Sequence, residues 1–171
     1  TDHSMNSISP TGDDDLQLPA SRVLLVDDTP QHLVALEVVL EDLDCQVDSV
    51  SSGNAALSKL LKEDYALVLL DVQMPEMDGF EVAGIMRSHK RTQNVPIIFV
   101  TAISKETRFV QQGYRSGAVD YLFKPIDPQL LQSKVSFFLG LDQQKKRLEA
   151  KLARARRSEA EMNALYGEQP E

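Results

Sequence analysis

Five side chains of this 171-residue sequence stand where chemistry centred on a carboxylate would need them: Asp27, Asp28, Asp71, Thr101 and Lys124. Each site closes a short apolar run. RVLLV leads into Asp27, ALVLL into Asp71, PIIFV into Thr101 and YLF into Lys124. A charge costs most in apolar surroundings, so a carboxylate in such a place lies at a mouth or beside a cation. Three neighbouring carboxylates repel, and one is forced to take a proton unless a cation intervenes. No His or Cys ligand is expected nearby, and all-oxygen coordination points to a hard cation. Mg²⁺ fits best, because it accepts a few carboxylates and keeps positions open for water or phosphoryl oxygens. Lys124 adds a mobile point charge suited to a phosphate oxygen, and Thr101 adds a hydroxyl at similar reach. The set suits a phosphoryl group in transfer, with one free carboxylate as the nucleophile.

Such residues, far apart in sequence, need elements that bring them together. RVLLVD (22–27), YALVLLD (65–71), VPIIFV (95–100) and VDYLF (119–123) read as buried strands, and CQVDSV (45–50) alternates as an edge strand would. Helical spacing lies between them. Leu33, Leu36, Val39, Leu40 and Leu43 make one apolar face near 30–43. Ala55, Ala56, Leu60 and Leu61 make a second, and Phe80, Val82, Ala83 and Met86 a third. Alternating short strands and helices predict βαβ units, hence an α/β fold with a doubly wound, five-stranded parallel sheet in the order 2-1-3-4-5. In such a sheet ligands bind outside the carboxyl ends of the strands, which is where the five residues stand.

Taken singly, each signal is weak. Acidic pairs are usually surface charge, as Asp13 to Asp15 are read here; a strand-end Asp is as often a helix cap, and Lys-Pro is a common turn. Only the ordered set is specific. Around it, composition excludes several classes. Hydrophobic residues make up 42%, enough for one real core, and the formal net charge of −8 argues against a nucleic-acid or acidic-membrane surface. The single cysteine, Cys45, rules out an internal disulfide and a thiolate metal cluster, and suits a reducing compartment. Apolar runs are too short to span a membrane, and the N-terminus lacks the pattern of a signal peptide. A cytoplasmic location is expected. Residues 1–20 read as a disordered polar leader, with TDHS ahead of Met5 as a tag remnant.

The spacing and identity of LLVDD (24–28), LLDVQMPEMDG (69–79), VTA (100–102) and DYLFKP (120–125) resemble the receiver domain of two-component response regulators, over about residues 21–140. The resemblance implies a flavodoxin-like (βα)5 domain with Asp71 as the phosphoacceptor. It implies Mg²⁺ held by Asp27, Asp28, Asp71 and the backbone carbonyl of Gln73. Thr101 and Lys124 would contact the phosphoryl group, and Tyr121 would be an aromatic switch that turns inward as Thr101 moves. It also implies a cis Lys124–Pro125 bond. Gln73 and Ile103 would flank the path of an attacking water, and the apolar Ile103 implies an aspartyl phosphate lasting minutes or more. The implied donor is a sensor histidine kinase or a phosphotransfer protein. The domain would not be a stand-alone enzyme.

Beyond the domain, residues 141–171 read as a helical, coiled-coil-like tail, continuous with the last helix from about 127 to 165. Residues 145–171 carry 7 Lys/Arg against 5 Asp/Glu, whereas residues 1–144 are strongly acidic. With Phe138 at heptad position a, the d column reads Leu141, Leu148, Ala155 and Met162, and the a column Phe138, Lys145, Leu152, Glu159 and Tyr166. The seam is patchy, and a homodimer through the last receiver helix and this tail is expected. The alternative is a solvated charged helix. KKRLEAKLARARR (145–157) lacks aromatic interleaving, so no nucleic-acid partner is expected. There is no room after residue 144 for a large output domain, and the sequence is read as a fragment of a longer chain. Two other functions compete: a Mg²⁺-dependent phosphohydrolase, which would want an acid where Gln73 stands, and a receiver-shaped interaction module that takes no phosphate.

Overall fold

The strands β1 (Arg22–Val26), β2 (Gln46–Val50), β3 (Leu67–Asp71), β4 (Ile97–Thr101) and β5 (Asp120–Phe123) form one parallel sheet in the order β2-β1-β3-β4-β5. A computed structural model of the chain describes residues 17–102 and 120–167. Helices α1 (Pro30–Leu40), α2 (Gly53–Lys62), α3 (Gly79–Ser88) and α4 (Pro128–Tyr166) complete the described elements. The anticipated sheet order and the long C-terminal helix are therefore present. Val119 and Ile103 lie outside the described residues, as do Asp13 to Asp15.

Side chains alternate across a strand, so each strand supplies both faces of the sheet. Leu24, Val26, Val68, Leu70, Ile97 and Phe99 pack on one side with Ala56 and Leu60 of α2 and Phe80, Val82, Ala83 and Met86 of α3. Val23, Leu25, Leu67, Leu69, Ile98 and Val100 pack on the other with Leu36 and Leu40 of α1 and Leu131, Val135 and Leu139 of α4. A strand covered on both faces carries a continuous apolar run, which is why β1, β3 and β4 read so plainly in the sequence. β2 has a neighbour on one side only and is half-buried with polar members.

The ends of the helices are set locally. Ser52 Oγ accepts a hydrogen bond from Ala55 N at 3.1 Å to cap α2, and Asp78 Oδ1 accepts from Glu81 N at 2.8 Å to cap α3. Pro30 opens α1, where its missing N–H costs nothing. The apolar pattern overruns two of these elements. α1 stops at Leu40, and Leu43 packs on the core from the following turn. Leu61, expected on the apolar face of α2, is 57% exposed, because Ala56 and Leu60 already fill the surface against the sheet.

The chain divides into two compact units, one of them Ala20–Gln143, which holds the sheet. The other takes in the residues of α4 from Gln144 onward, and the leucines of that stretch are exposed.

One glycine fixes how the chain leaves the central strand. A Cβ on Gly79 would lie 2.4 Å from the carbonyl oxygen of Asp71 and 2.9 Å from the Cα of Val72, both backbone atoms that cannot swing aside. Gly79 N also donates to the Val72 carbonyl at 2.9 Å, closing the loop that carries Gln73. Gly79→Ala is expected to destabilise the protein by about 2–3 kcal/mol. Denaturant unfolding monitored by circular dichroism measures it, with an unchanged midpoint as the opposing result.

Candidate functional site

β1 lies between β2 and β3, so the connections on its two sides leave toward opposite faces of the sheet and open a crevice at the carboxyl ends of β1 and β3. Val26 pairs with Leu70, which sets Asp27 beside Asp71 one residue further on. Asp71 in turn pairs with Val100, and Thr101 with Phe123, so Thr101 and Lys124 follow at the same level. Strand register alone thus gathers Asp27, Asp71, Thr101 and Lys124.

Both carboxylates are deeply placed: Asp27 is 2% exposed and Asp71 6%. Each is aimed by a backbone N–H two residues on. Thr29 N donates to Asp27 Oδ1 at 2.9 Å, and Gln73 N donates to Asp71 Oδ1 at 3.1 Å. That leaves the Oδ2 atoms of both turned to a common cation. Lys124 Nζ lies 2.9 Å from Asp27 Oδ2 and 3.4 Å from Asp71 Oδ2. Lys124 N donates to the Thr101 carbonyl at 2.9 Å, and the Lys124–Pro125 bond is cis.

The unequal distances match the titration of the two acids. Burial pushes the Asp71 carboxyl above its ordinary value of 3.8; Lys124 opposes this and the Asp27 charge adds to it. Burial pushes Asp27 up as well, but the Thr29 N–H and the Lys124 ammonium outweigh it and hold the group below 3.8. Asp27 is therefore the settled anion and Asp71 the destabilised, more basic one.

Asp28 is exposed and is not among the carboxylates that converge here. Thr101 is buried at the end of β4. Tyr121 is inward, with its ring centroid 5.4 Å from Phe99 and 5.7 Å, stacked, from Phe123. The inward position is thus one that ring packing by itself supports.

His32 corrects the expectation that no histidine stands near. Its Nδ1 lies 3.1 Å from Asp27 Oδ2 and 2.9 Å from Lys124 Nζ, and one donor atom each from Asp27, His32 and Asp71 falls within 4.8 Å of the others. A single Nδ1 cannot serve both neighbours at once: it accepts from the ammonium when unprotonated, or donates to Asp27 when it carries the proton. The signal was positional. His32 is the third residue of a helix that starts directly beyond the end of β1, so it faces the mouth that Asp27 lines. On donor chemistry the site fits a hard divalent ion, since two buried carboxylates meet at one mouth, with a single ammonium between them among the described residues.

Three comparisons bear on these features. The family described as the response regulator receiver domain matches residues 23–136. The transcriptional regulatory protein SrrA of Staphylococcus aureus is 38% identical over 120 residues, 70% of this chain and 48% of that protein. The chain thus spans about half the length of the curated relatives it matches. A putative response regulator from Chloroflexus aurantiacus superposes with a TM-score of 0.67 at 32% identity, covering 71% of this chain and 99% of that one. The chemotaxis protein CheY4 of Vibrio cholerae gives 0.66 at 28%, covering 70% and 99%.

The opposite placement of the two acids has opposite consequences for stability. A raised carboxyl penalises the fold above its pKa, and the penalty fades as pH falls toward the unfolded value. A depressed carboxyl stabilises the fold above the unfolded value, and that contribution is lost only as pH falls through the lower, folded one. Without metal at pH 7, Asp71→Asn is expected to raise the melting temperature and Asp27→Asn to lower it. Each change is on the order of 1 kcal/mol, about 2–4 °C for a domain of this size. In a thermal melt series the Asp71 effect is gone near pH 3.8, while that of Asp27 persists to lower pH. Shifts of the same sign would contradict the assignment.

Proposed function

Because the chain belongs to the response regulator receiver domain family, we propose that it accepts a phosphoryl group on Asp71 from a sensor histidine kinase or a phosphotransfer protein. The observation that carries this reading is the buried Asp71 at the end of the central strand, with its Oδ2 facing an ammonium that Asp27 holds more closely. An Asp71 oxygen forms the new O–P bond as the P–N bond of a phosphohistidine breaks, and the leaving imidazole keeps the electron pair. The depth of the site strips water from the nucleophile, and the raised pKa of Asp71 reflects the more basic oxygens that attack needs. Asp27, Asp71 and the Gln73 carbonyl would hold Mg²⁺, with the exposed Asp28 turning in to join them, and the ion would supply charge neutralisation for the transferring phosphoryl oxygens. Lys124 swings toward the phosphoryl oxygens, and Thr101 adds its hydroxyl.

The domain acts as a signalling component and not as a stand-alone enzyme. The phosphohydrolase alternative would want a second acid at position 73, where Gln73 stands. Tyr121 packs at a tilt against Phe99 and stacks on Phe123, so a shift of Thr101 at the end of β4 reaches the aromatic row at β5. Onward transmission runs through α4 and its tail, paired with that of a second copy. Leu141, Leu148, Leu152, Met162 and Tyr166 are exposed, and a lone helix of this composition is marginal in water without a partner. No nucleic-acid or membrane partner is proposed; among the described residues no helix is long and apolar enough to cross a membrane. A cytoplasmic location agrees with that role.

Acetyl phosphate with Mg²⁺, followed by intact mass measurement, should add one phosphoryl group to the protein. Asp71→Ala should add none. Full phosphorylation of Asp71→Ala, or turnover of small phosphoesters by the unmodified protein, would refute the reading.

A further inference from the structure

The pairing of tails proposed above leaves its direction open, and the charges along α4 decide it. From Lys145 to Tyr166 nearly every residue is exposed, Leu148 at 68% and Met162 at 57% among them. Lys145, Leu152, Glu159 and Tyr166 form the a column, and Leu148, Ala155 and Met162 the d column. Glu149 and Arg156 occupy e positions beside the seam, and Lys151 a g position.

In a parallel, in-register pair, a packs on a and d on d. Lys145 would then face its own copy inside the seam, and so would Glu159. At the flanks, Lys151 would face Arg156 of the second copy. Like charges oppose each other at two seam layers and at both flanks. In an antiparallel pair, a packs on d. With Leu152 opposite Ala155 of the second copy, Lys145 lays its aliphatic stem over Met162 of that copy. Its backbone position is then three residues, about 4.5 Å along the axis, from Glu159 of the second copy, within reach of the long side chain. Glu149 meets Arg156 of the second copy, and by symmetry the contact occurs twice. A slip of one heptad either way loses this, setting Glu149 against Glu149 or Arg156 against Arg156. Charge complementarity therefore selects both a direction and a register.

We propose that two copies of this chain pair antiparallel through residues 145–162, with Leu152 opposite Ala155 and Glu149 paired with Arg156 across the interface. The proposal rests on the homodimer reading, and the test separates the two. Sedimentation equilibrium on the full chain compares wild type, Arg156→Glu and the double variant Glu149→Arg/Arg156→Glu. Antiparallel pairing predicts that Arg156→Glu sets acids together at both contacts and weakens the dimer about tenfold. The charge-swapped double variant restores it. In a parallel pair Arg156→Glu would face Lys151 and tighten the dimer, which overturns the direction while keeping the dimer. No change in the single variant also overturns it, and a wild type that is monomeric throughout overturns the homodimer itself. Spin labels at Ala164→Cys, in a Cys45→Ser background, give an independent reading. Antiparallel tails hold them about 30 Å apart along the axis, at 1.5 Å per residue. Labels at one level would contradict the proposal.

Discussion

Two carboxylates buried side by side cannot both remain ionised without a counter-charge, and the functional end of this protein is built on how Lys124 answers that constraint. Its ammonium sits closer to Asp27 than to Asp71 and also touches His32. Asp27 keeps its charge cheaply, while Asp71 bears most of the cost of burial. That imbalance makes Asp71 the group with the most to gain from a new cation or from covalent capture by an electrophilic phosphorus. The charge on Asp71 is not a stabilising device. It is strain held in position by a sheet that is apolar on both faces.

The rest of the domain can be understood as what that strain requires. β1 and β3 must be adjacent and in register for Asp27 and Asp71 to stand together, and their pairing gives this. β5 must enter at the far side of β4 for Lys124 to follow the same mouth. The close backbone approach at Gly79 keeps the β3–α3 loop tight, so Gln73 N can hold one Asp71 oxygen while the other faces Lys124. Phe80, Phe99, Tyr121 and Phe123 form a continuous aromatic row from α3 to β5, with neighbouring centroids 5.0 to 5.7 Å apart. A row of this kind moves in discrete repackings rather than by small yielding, which is what a two-state signal needs.

Much of this was legible in the sequence because buried parallel strands are apolar along their whole length. Each ended at a residue whose type was out of keeping with the run before it. The Asp27, Asp71, Thr101 and Lys124 ends could be placed at one mouth from topology alone. His32 could not, since a histidine two residues beyond a proline has no periodic signal, and only the start of α1 directs it toward Asp27. Leu61 misled for a related reason. Its spacing suited the apolar face of α2, but residue size decides which side chains reach the sheet, and Leu60 had already filled that space. The inward position of Tyr121 was equally beyond pattern, because it depends on stacking with Phe123 and not on spacing.

His32 also changes the energetics of activation. For Lys124 to serve a phosphoryl group it must give up part of its bonding to Asp27 and to His32, both at 2.9 Å. The phosphoryl oxygens have to outcompete a carboxylate and an imidazole, and only the surplus is available to bias the structure. A ligand shifts a two-state equilibrium by no more than its differential affinity for the two states. Each tenfold in population needs about 1.4 kcal/mol of that surplus. With Tyr121 already supported inward by its neighbours, little of it has to be spent on the ring. The larger share is left for moving Lys124 and the end of β4. On the proposed reading the release of the lysine therefore limits the switch, and the aromatic row follows.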